Sequence, residues 1–306
     1  MAKTFVFDFT DEQKKHIKVR WNESYLESLI ATLKVLNSKW KLSNIQFIPF
    51  YSQNSVFTCY SDLFGDAVIK IGYQSLENEY NCLREFAGRD VCCIFDADLT
   101  HNAILEQRVI PGNSLLELRS RDQRINVFAS LYEILHIEPD NASVFLSLRD
   151  VVKKKIDYIL TREDCRDLSS VIDKTQIIFE SICTKYKAMK LLHGDLHQRN
   201  ILLSQNGDYL IIDPDGYIGD PVFDVSRFIM LEFEDQLTGG KDDSILDLID
   251  KLGKRLQIPL NNLIECLFID NVLWLCTDLE RGETLGESQF IIDNIYVAES
   301  LVKQYC

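Results

Sequence analysis

The stretch ILLSQNGDYLIID (201–213) constrains the fold more than any other part of the chain. Two apolar runs flank Asn206-Gly207, a dipeptide suited to a tight two-residue turn, so the chain is expected to reverse there as a hairpin. For roughly eighty residues before it strand signals vanish and helical spacing takes over, in LLELRSRDQRINVFASLYEIL, SLRDVVKKKIDYIL and SSVIDKTQIIFESICTKYKAM. Two or three further helices are expected over about 222–232, 243–280 and 287–304. An isolated two-stranded hairpin is marginal in water, so this one must be set in a helical body. Residues at its two open ends are thereby brought together.

The first part of the chain reads differently. WNESYLESLIATLKVL places Leu26, Leu29, Ile30 and Leu33 on one helical face, with Asn22 or Ser24 as cap. Strands are expected at IQFIPFY (45–51), SVFTCY (55–60), AVIKI (67–71), VCCIF (91–95) and AILEQRVI (103–110). SDLFGD turns the second into the third, and SLENEYNCLREFAG (75–88) reads as a helix closed by Gly88. The pattern changes at Pro111-Gly112. The expected class is therefore α+β and bilobal: a small, mostly antiparallel sheet over 1–110, a larger helical lobe over 111–306, and a narrow hinge near 106–112.

Composition narrows the partners. No run approaches the roughly 18 apolar residues of a membrane helix, and MAKTFVFDFTDEQKKH carries acids where an export signal is apolar, so a cytoplasmic protein without membrane contact is expected. Nine cysteines, none in a CxxC, fit reduced thiols. Of the net charge of −14, residues 193–306 carry 21 Asp and Glu against 8 Lys and Arg, whereas 1–192 are nearly balanced at 26 against 25. Such an acidic half repels nucleic acid and attracts cations, although a solvated acidic face would serve solubility alone.

The chemistry concentrates in LLHGDLHQRNILL (191–203) and YLIIDPDGYIGDPVFD (209–224). Asp195 and Asn200 sit five apart in a polar loop, and Asp213 ends the hairpin's return strand. Phosphoryl transfer asks for one carboxylate at the acceptor hydroxyl, oxygen ligands for Mg2+, and positive charge around the phosphates. Asp195 suits the first task; Asn200 and Asp213 suit the second, with Asp215 as a competitor for Asp213. His193 and His197 have zinc spacing, but Gly194 opposes the helix that spacing needs and no third ligand is nearby, so loop bracing is the expected role. The chain contains neither GxSxG nor a Walker loop.

His193, Asp195, Leu196 and Asn200 reproduce the spacing of the protein-kinase catalytic loop, with Asp213 at the metal-binding aspartate. The variant HGDLHQRNIL with IDPDGYIGDPVFD resembles the aminoglycoside phosphotransferase family, its streptomycin-type members above all. The resemblance implies an antibiotic-resistance kinase of protein-kinase-like fold that uses Mg2+ and ATP or GTP to phosphorylate a cationic or polyhydroxylated small molecule. It makes Asp195 the base, Asn200 and Asp213 the magnesium ligands, and Lys70 the phosphate contact, with Glu79 (or Glu77) as its partner. Glu106 to Val109, Arg108 included, look like the nucleotide hinge. YSQNSVF (51–57) replaces the glycine-rich loop without any glycine, so Asn54 and Ser55 would reach the phosphates. Gly219-Asp220-Pro221 and Asp224 are expected to fix the loop. Asp278, Glu280 and Glu283 are expected to meet acceptor amines. A metabolic kinase of a sugar or amino alcohol, or an inactive binding module, are the alternatives; the protein-kinase Ala-Pro-Glu segment is absent, which argues against a protein substrate.

Overall fold

The computed structural model describes residues 7–49, 53–233 and 242–306. By contact density the chain divides into two units, Met1–Gly112 with Leu203–Leu210, and Asn113–Leu202 with Ile211–Cys306.

The first unit contains α1 (Asp11–Arg20), α2 (Glu23–Trp40), β1 (Leu42–Ile48), β2 (Asn54–Ser61), β3 (Gly65–Gly72), α3 (Glu77–Glu85), β4 (Ile94–Asp98) and β5 (Ala103–Gln107). The strands form one sheet in the order β1-β2-β3-β5-β4, with antiparallel neighbours. Phe50, Tyr51 and Ser52, at the end of the first expected strand and in the glycine-free loop, lie outside the described residues. Side chains alternate across the sheet. Phe57 and Cys59 of β2, with Ala67, Ile69 and Ile71 of β3, pack on Leu26, Leu29, Leu33, Leu36 and Trp40 of α2. Val68 and Lys70 therefore occupy the opposite face. Helix α1 lacks an apolar period because Ile17 is its sole buried residue; its signal is the Thr10 and Gln13 spacing, a reciprocal capping box in the structure. The fourth strand runs three residues later than its apolar run, with a register shift inside it between Ile94 and Asp96.

The chain continues through β6 (Pro111–Ser114), α4 (Arg121–Leu135), β7 (Leu146–Ser147), α5 (Leu148–Leu160), α6 (Ser169–Lys185), β8 (Lys190–Leu192), β9 (Ile201–Ser204), β10 (Tyr209–Ile211), β11 (Tyr217–Gly219), α7 (Ser226–Leu231), α8 (Asp242–Leu256), α9 (Leu260–Glu280) and α10 (Gln289–Tyr305). In the second unit α9 is the central helix, buried along most of its 21 residues against α5, α6, α7 and α10. The expected helix over 243–280 is two helices, because Pro259 forces the residue before it out of helical geometry; α8 and α9 meet at 116°. Among the described residues no single helix is long and apolar enough to cross a membrane. A small sheet, β7-β11-β8, also interrupts the helical region; strands of two or three residues show no period in sequence.

The hairpin β9-β10 turns through three residues rather than two. The Ser204 amide donates to the Asp208 carbonyl at 2.8 Å, leaving Gln205, Asn206 and Gly207 outside the ladder. Gly207 has φ +87° whereas Asn206 does not have positive φ, as a two-residue type I′ turn would require.

Candidate active site

Strand β8 delivers the chain into the loop His193–Asn200, and a hydrogen-bond network built on Asp224 fixes its shape. The Asp224 carboxylate is 2% exposed and accepts the amides of His193 at 2.7 Å and Gly194 at 2.8 Å, while His136 Nε2 lies 2.9 Å away. Burial would raise its pKa, but His136 and the backbone donors outweigh that and hold the carboxyl below its ordinary value. Asp220 holds the neighbouring turn, accepting the amides of Val222 at 3.1 Å and Ala188 at 2.9 Å. Gly194 is required where it stands: its φ is +85°, and a Cβ would lie 2.7 Å from the Tyr217 ring.

His193 ties the loop to the end of the hairpin. Burial lowers its pKa, so the ring is neutral. Its Nδ1 accepts the Asp195 amide at 3.2 Å, and Nε2 donates to the Ile212 carbonyl at 2.9 Å. The amides of Asp215 and Gly216 return to the His193 carbonyl at 2.8 and 3.1 Å, and Ile212 N–H donates to the Asn200 carbonyl at 2.9 Å. These bonds place Asp195, Asn200 and the Asp213–Asp215 segment in one cluster inside the second unit. His197 Nε2 lies 3.3 Å from Asp195 Oδ2, so the two histidines serve different partners rather than one ion. Among the described residues no group of three His, Cys, Asp or Glu side chains is arranged to hold a metal ion.

Asp195 keeps 32% of its side-chain surface open, enough to meet a substrate. Burial pushes its carboxyl up, but the His197 contact and the charge of Arg227 win, holding it well below the usual carboxylate range. Asn200 Nδ2 donates to the Asp195 carbonyl at 3.1 Å, which leaves Oδ1 as the atom the amide can offer a cation. Asp213 has φ +62°, a left-handed backbone that aspartate tolerates better than most residues. Burial, with the charges of Asp195 and Asp213, raises the Asp215 carboxyl to about 6. One amide oxygen and carboxylates near enough to act on one another by charge are donors of the kind magnesium takes, which uses one or two carboxylates and fills its remaining positions from water and phosphate.

In the first unit Lys70 is almost fully buried between two acids. Its ammonium contacts Glu79 and lies 3.3 Å from Glu106 Oε1, with 7% of the lysine side chain and 4% of the Glu106 side chain exposed. Glu106 and Lys70 share a sheet face because Glu106 pairs with Val68. Cys92 Sγ donates to the second Glu106 oxygen at 3.8 Å. Three expectations change. Glu106 acts here through its side chain, not only through hinge backbone. The amides of Gln107 and Arg108 are already donated to Cys93 and Asp66 carbonyls, at 2.8 and 3.3 Å, so neither serves as a hinge donor. Ser55 is fully buried and its hydroxyl accepts from Tyr25 at 3.2 Å, on the α2 side of the sheet and away from Lys70.

Beside Asp195, α7 and α9 contribute residues that sequence spacing did not reveal. Arg227 Nε lies 3.6 Å from Asp195 Oδ1 and 3.3 Å from Asp270 Oδ2. Asp270, Trp274 and Asp278 recur every four residues on one face of α9, and Trp274 meets the Phe290 ring edge-on at 5.0 Å. Glu280, by contrast, pairs with Lys155 at 3.3 Å. Deeper, Gln198 is fully buried and donates to Phe228 carbonyl and Glu232, which Arg124 clamps at 2.6 Å.

The family model for aminoglycoside/hydroxyurea antibiotic resistance kinases matches residues 61–264. The chain belongs to that family. A streptomycin 6-kinase from Streptomyces griseus is 25% identical over 235 residues, covering 72% of this chain and 71% of that protein. Among solved structures, the choline kinase LicA from Streptococcus pneumoniae matches with a TM-score of 0.66 at 14% identity, covering 92% of this chain and 100% of its own. The amicoumacin kinase hAmiN matches with a TM-score of 0.65 at 13% identity, over 94% and 96% of the two chains. These likenesses show an α+β, protein-kinase-like fold. This kinase is thus a phosphotransferase with an alcohol group as acceptor, of the aminoglycoside kinase class, taking its phosphoryl group from a nucleotide and passing it to a small molecule.

Proposed function

We propose that the protein transfers the γ-phosphoryl group of ATP or GTP to a hydroxyl of a cationic cyclitol or amino sugar, of the streptomycin kind named in its relative from Streptomyces griseus. The observation that carries the reading is the network from Asp224 through His193 to Ile212, which holds Asp195 and Asn200 beside the Asp213 segment. In this reading Asp195 accepts the hydrogen bond of the acceptor hydroxyl and orients its oxygen. The new bond forms between that oxygen and the γ-phosphorus as the bond to the β,γ-bridging oxygen breaks. The bridging oxygen keeps the electron pair, and the hydroxyl proton passes to Asp195 late in the step, as its low proton affinity demands. Asn200 Oδ1 and the Asp213 carboxylate would hold Mg2+, which when bound offsets phosphate charge. Lys70, steadied by Glu79 and Glu106, supplies the lysine that meets the nucleotide's phosphates, making the first unit the nucleotide-binding lobe and the second the catalytic lobe.

The acceptor side draws on α9. Asp278 offers a carboxylate on one stripe of that helix, chemistry that suits an amine on a ring, whereas Asp270 is already held by Arg227 and Ser226. Glu280 is committed to Lys155 and drops out of the expected acidic set. The test is a panel of aminoglycosides, cyclitols, sugars and amino alcohols, each incubated with ATP or GTP and Mg2+, with products identified by mass. Phosphorylation of a cationic cyclitol or amino sugar supports the reading; exclusive transfer to choline-like or neutral sugar acceptors contradicts it.

A further inference from the structure

One cation beside Asp195 has no role in the scheme above. Arg227 is the second residue of α7, three positions after Asp224, and its side chain is 22% exposed. It is held by charge from two sides, 3.6 Å from Asp195 and 3.3 Å from Asp270, and its guanidinium carbon lies 5.9 Å from the centre of the Trp274 ring. Ser226 Oγ donates to the same Asp270 oxygen at 3.1 Å, so the acid that anchors Arg227 is itself fixed. Yet Nε is buried without a hydrogen bond, and among the described residues no side-chain hydrogen bond of Arg227 is formed. A guanidinium has five N–H donors in a rigid fork, and one serving merely as a counter-ion ordinarily spends them on its carboxylates, often two at a time. Here the fork is oriented by charge and packing while its donors stay uncommitted, next to the carboxylate that would receive the acceptor hydroxyl.

That position matters for the charge balance of the step. As the acceptor oxygen bonds to phosphorus and the bridging oxygen departs with its electron pair, the three other phosphoryl oxygens carry negative charge towards Asp195, itself an anion. In that scheme Lys70 and the Mg2+ that Asn200 and Asp213 would hold offset charge on the nucleotide's phosphates, and no cation is assigned to the step beside Asp195 itself. We infer that Arg227 is a further catalytic residue, donating to the oxygens of the phosphoryl group while it passes to the acceptor. The inference rests on the reading of Asp195 given above.

The test compares R227M, which keeps the stem over Trp274, with R227K and with D195N, in steady-state kinetics on an acceptor the wild type phosphorylates and with circular dichroism as a check on folding. R227M is expected to lose about a hundredfold in kcat with both KM values within about threefold, the pattern of an interaction made in the transition state. Guanidinium ion added to R227M should recover about tenfold, and none of the loss in D195N. R227K, whose point charge lacks the fork, is expected in between, and it decides the matter if R227M does not fold. An R227M or R227K turnover within about fivefold of wild type overturns the inference, as does a loss that appears as raised nucleotide KM and resists guanidinium. If D195N is inactive while R227M is active, Arg227 alone is misassigned. If D195N is active, the reading of Asp195 itself has failed.

Discussion

Replacing Asp224 by asparagine removes one charge and almost no volume, so it isolates the network that shapes the loop. The carboxylate faces three donors: two backbone amides at 2.7 and 2.8 Å and His136 Nε2 at 2.9 Å. An asparagine oxygen can satisfy one side of that ring of donors, while its NH2 turns two hydrogens towards donors on the other. Each buried donor left unsatisfied costs about 1–3 kcal/mol, so D224N should lose about 3 kcal/mol of stability. At roughly 2–4 °C per kcal/mol for a domain of this size, melting should fall by about 6–12 °C. The sign with pH follows from the depressed folded pKa of Asp224. Its contribution is fully present above the unfolded value of about 3.9 and is lost as pH falls through the lower folded value. Urea unfolding of wild type and D224N should therefore show the full gap at neutral pH and a closing gap below about pH 4. A gap under about 0.5 kcal/mol at neutral pH, or one that widens on acidification, would refute the argument.

Three further outcomes follow from the geometry. S55A should keep turnover within about twofold of wild type and lose about 1 kcal/mol in a melting assay, because the Ser55 hydroxyl serves Tyr25 on the α2 face. E79Q should raise the nucleotide KM about tenfold, and E79Q with E106Q more than the product of the single changes, since either acid can steady Lys70 when the other is gone. D213N should raise the magnesium concentration for half-maximal rate by about tenfold or more, measured by titrating the metal at fixed nucleotide.

The clustering of Asp195, Asn200 and the Asp213 segment was legible because it is local: Asp195 and Asn200 lie five residues apart, and the hairpin turn announces where Asp213 returns. The residues that were not legible are remote partners. His136 reaches Asp224 across 88 positions and Asp270 reaches Ser226 across 44, distances over which no spacing rule operates. Ser55 is a different failure, because the signal existed. It shares strand parity with Phe57 and Cys59, so period-two alternation assigns it to the apolar face, whatever its place beside a phosphate-loop-like segment. The turn at Asn206-Gly207 shows the limit of dipeptide rules: Gly207 adopts the left-handed conformation that was expected, while the ladder closes one residue earlier and makes a three-residue loop. Helix α1 was missed since capping rather than burial defines it.

A single-turnover experiment with isotopically labelled γ-phosphate, nucleotide, Mg2+ and a cationic cyclitol acceptor addresses the reading of Asp195 most directly. The account expects D195N to bind nucleotide within about threefold of wild type and to transfer label at least about a thousandfold more slowly. Transfer by D195N at a rate near that of wild type would contradict it.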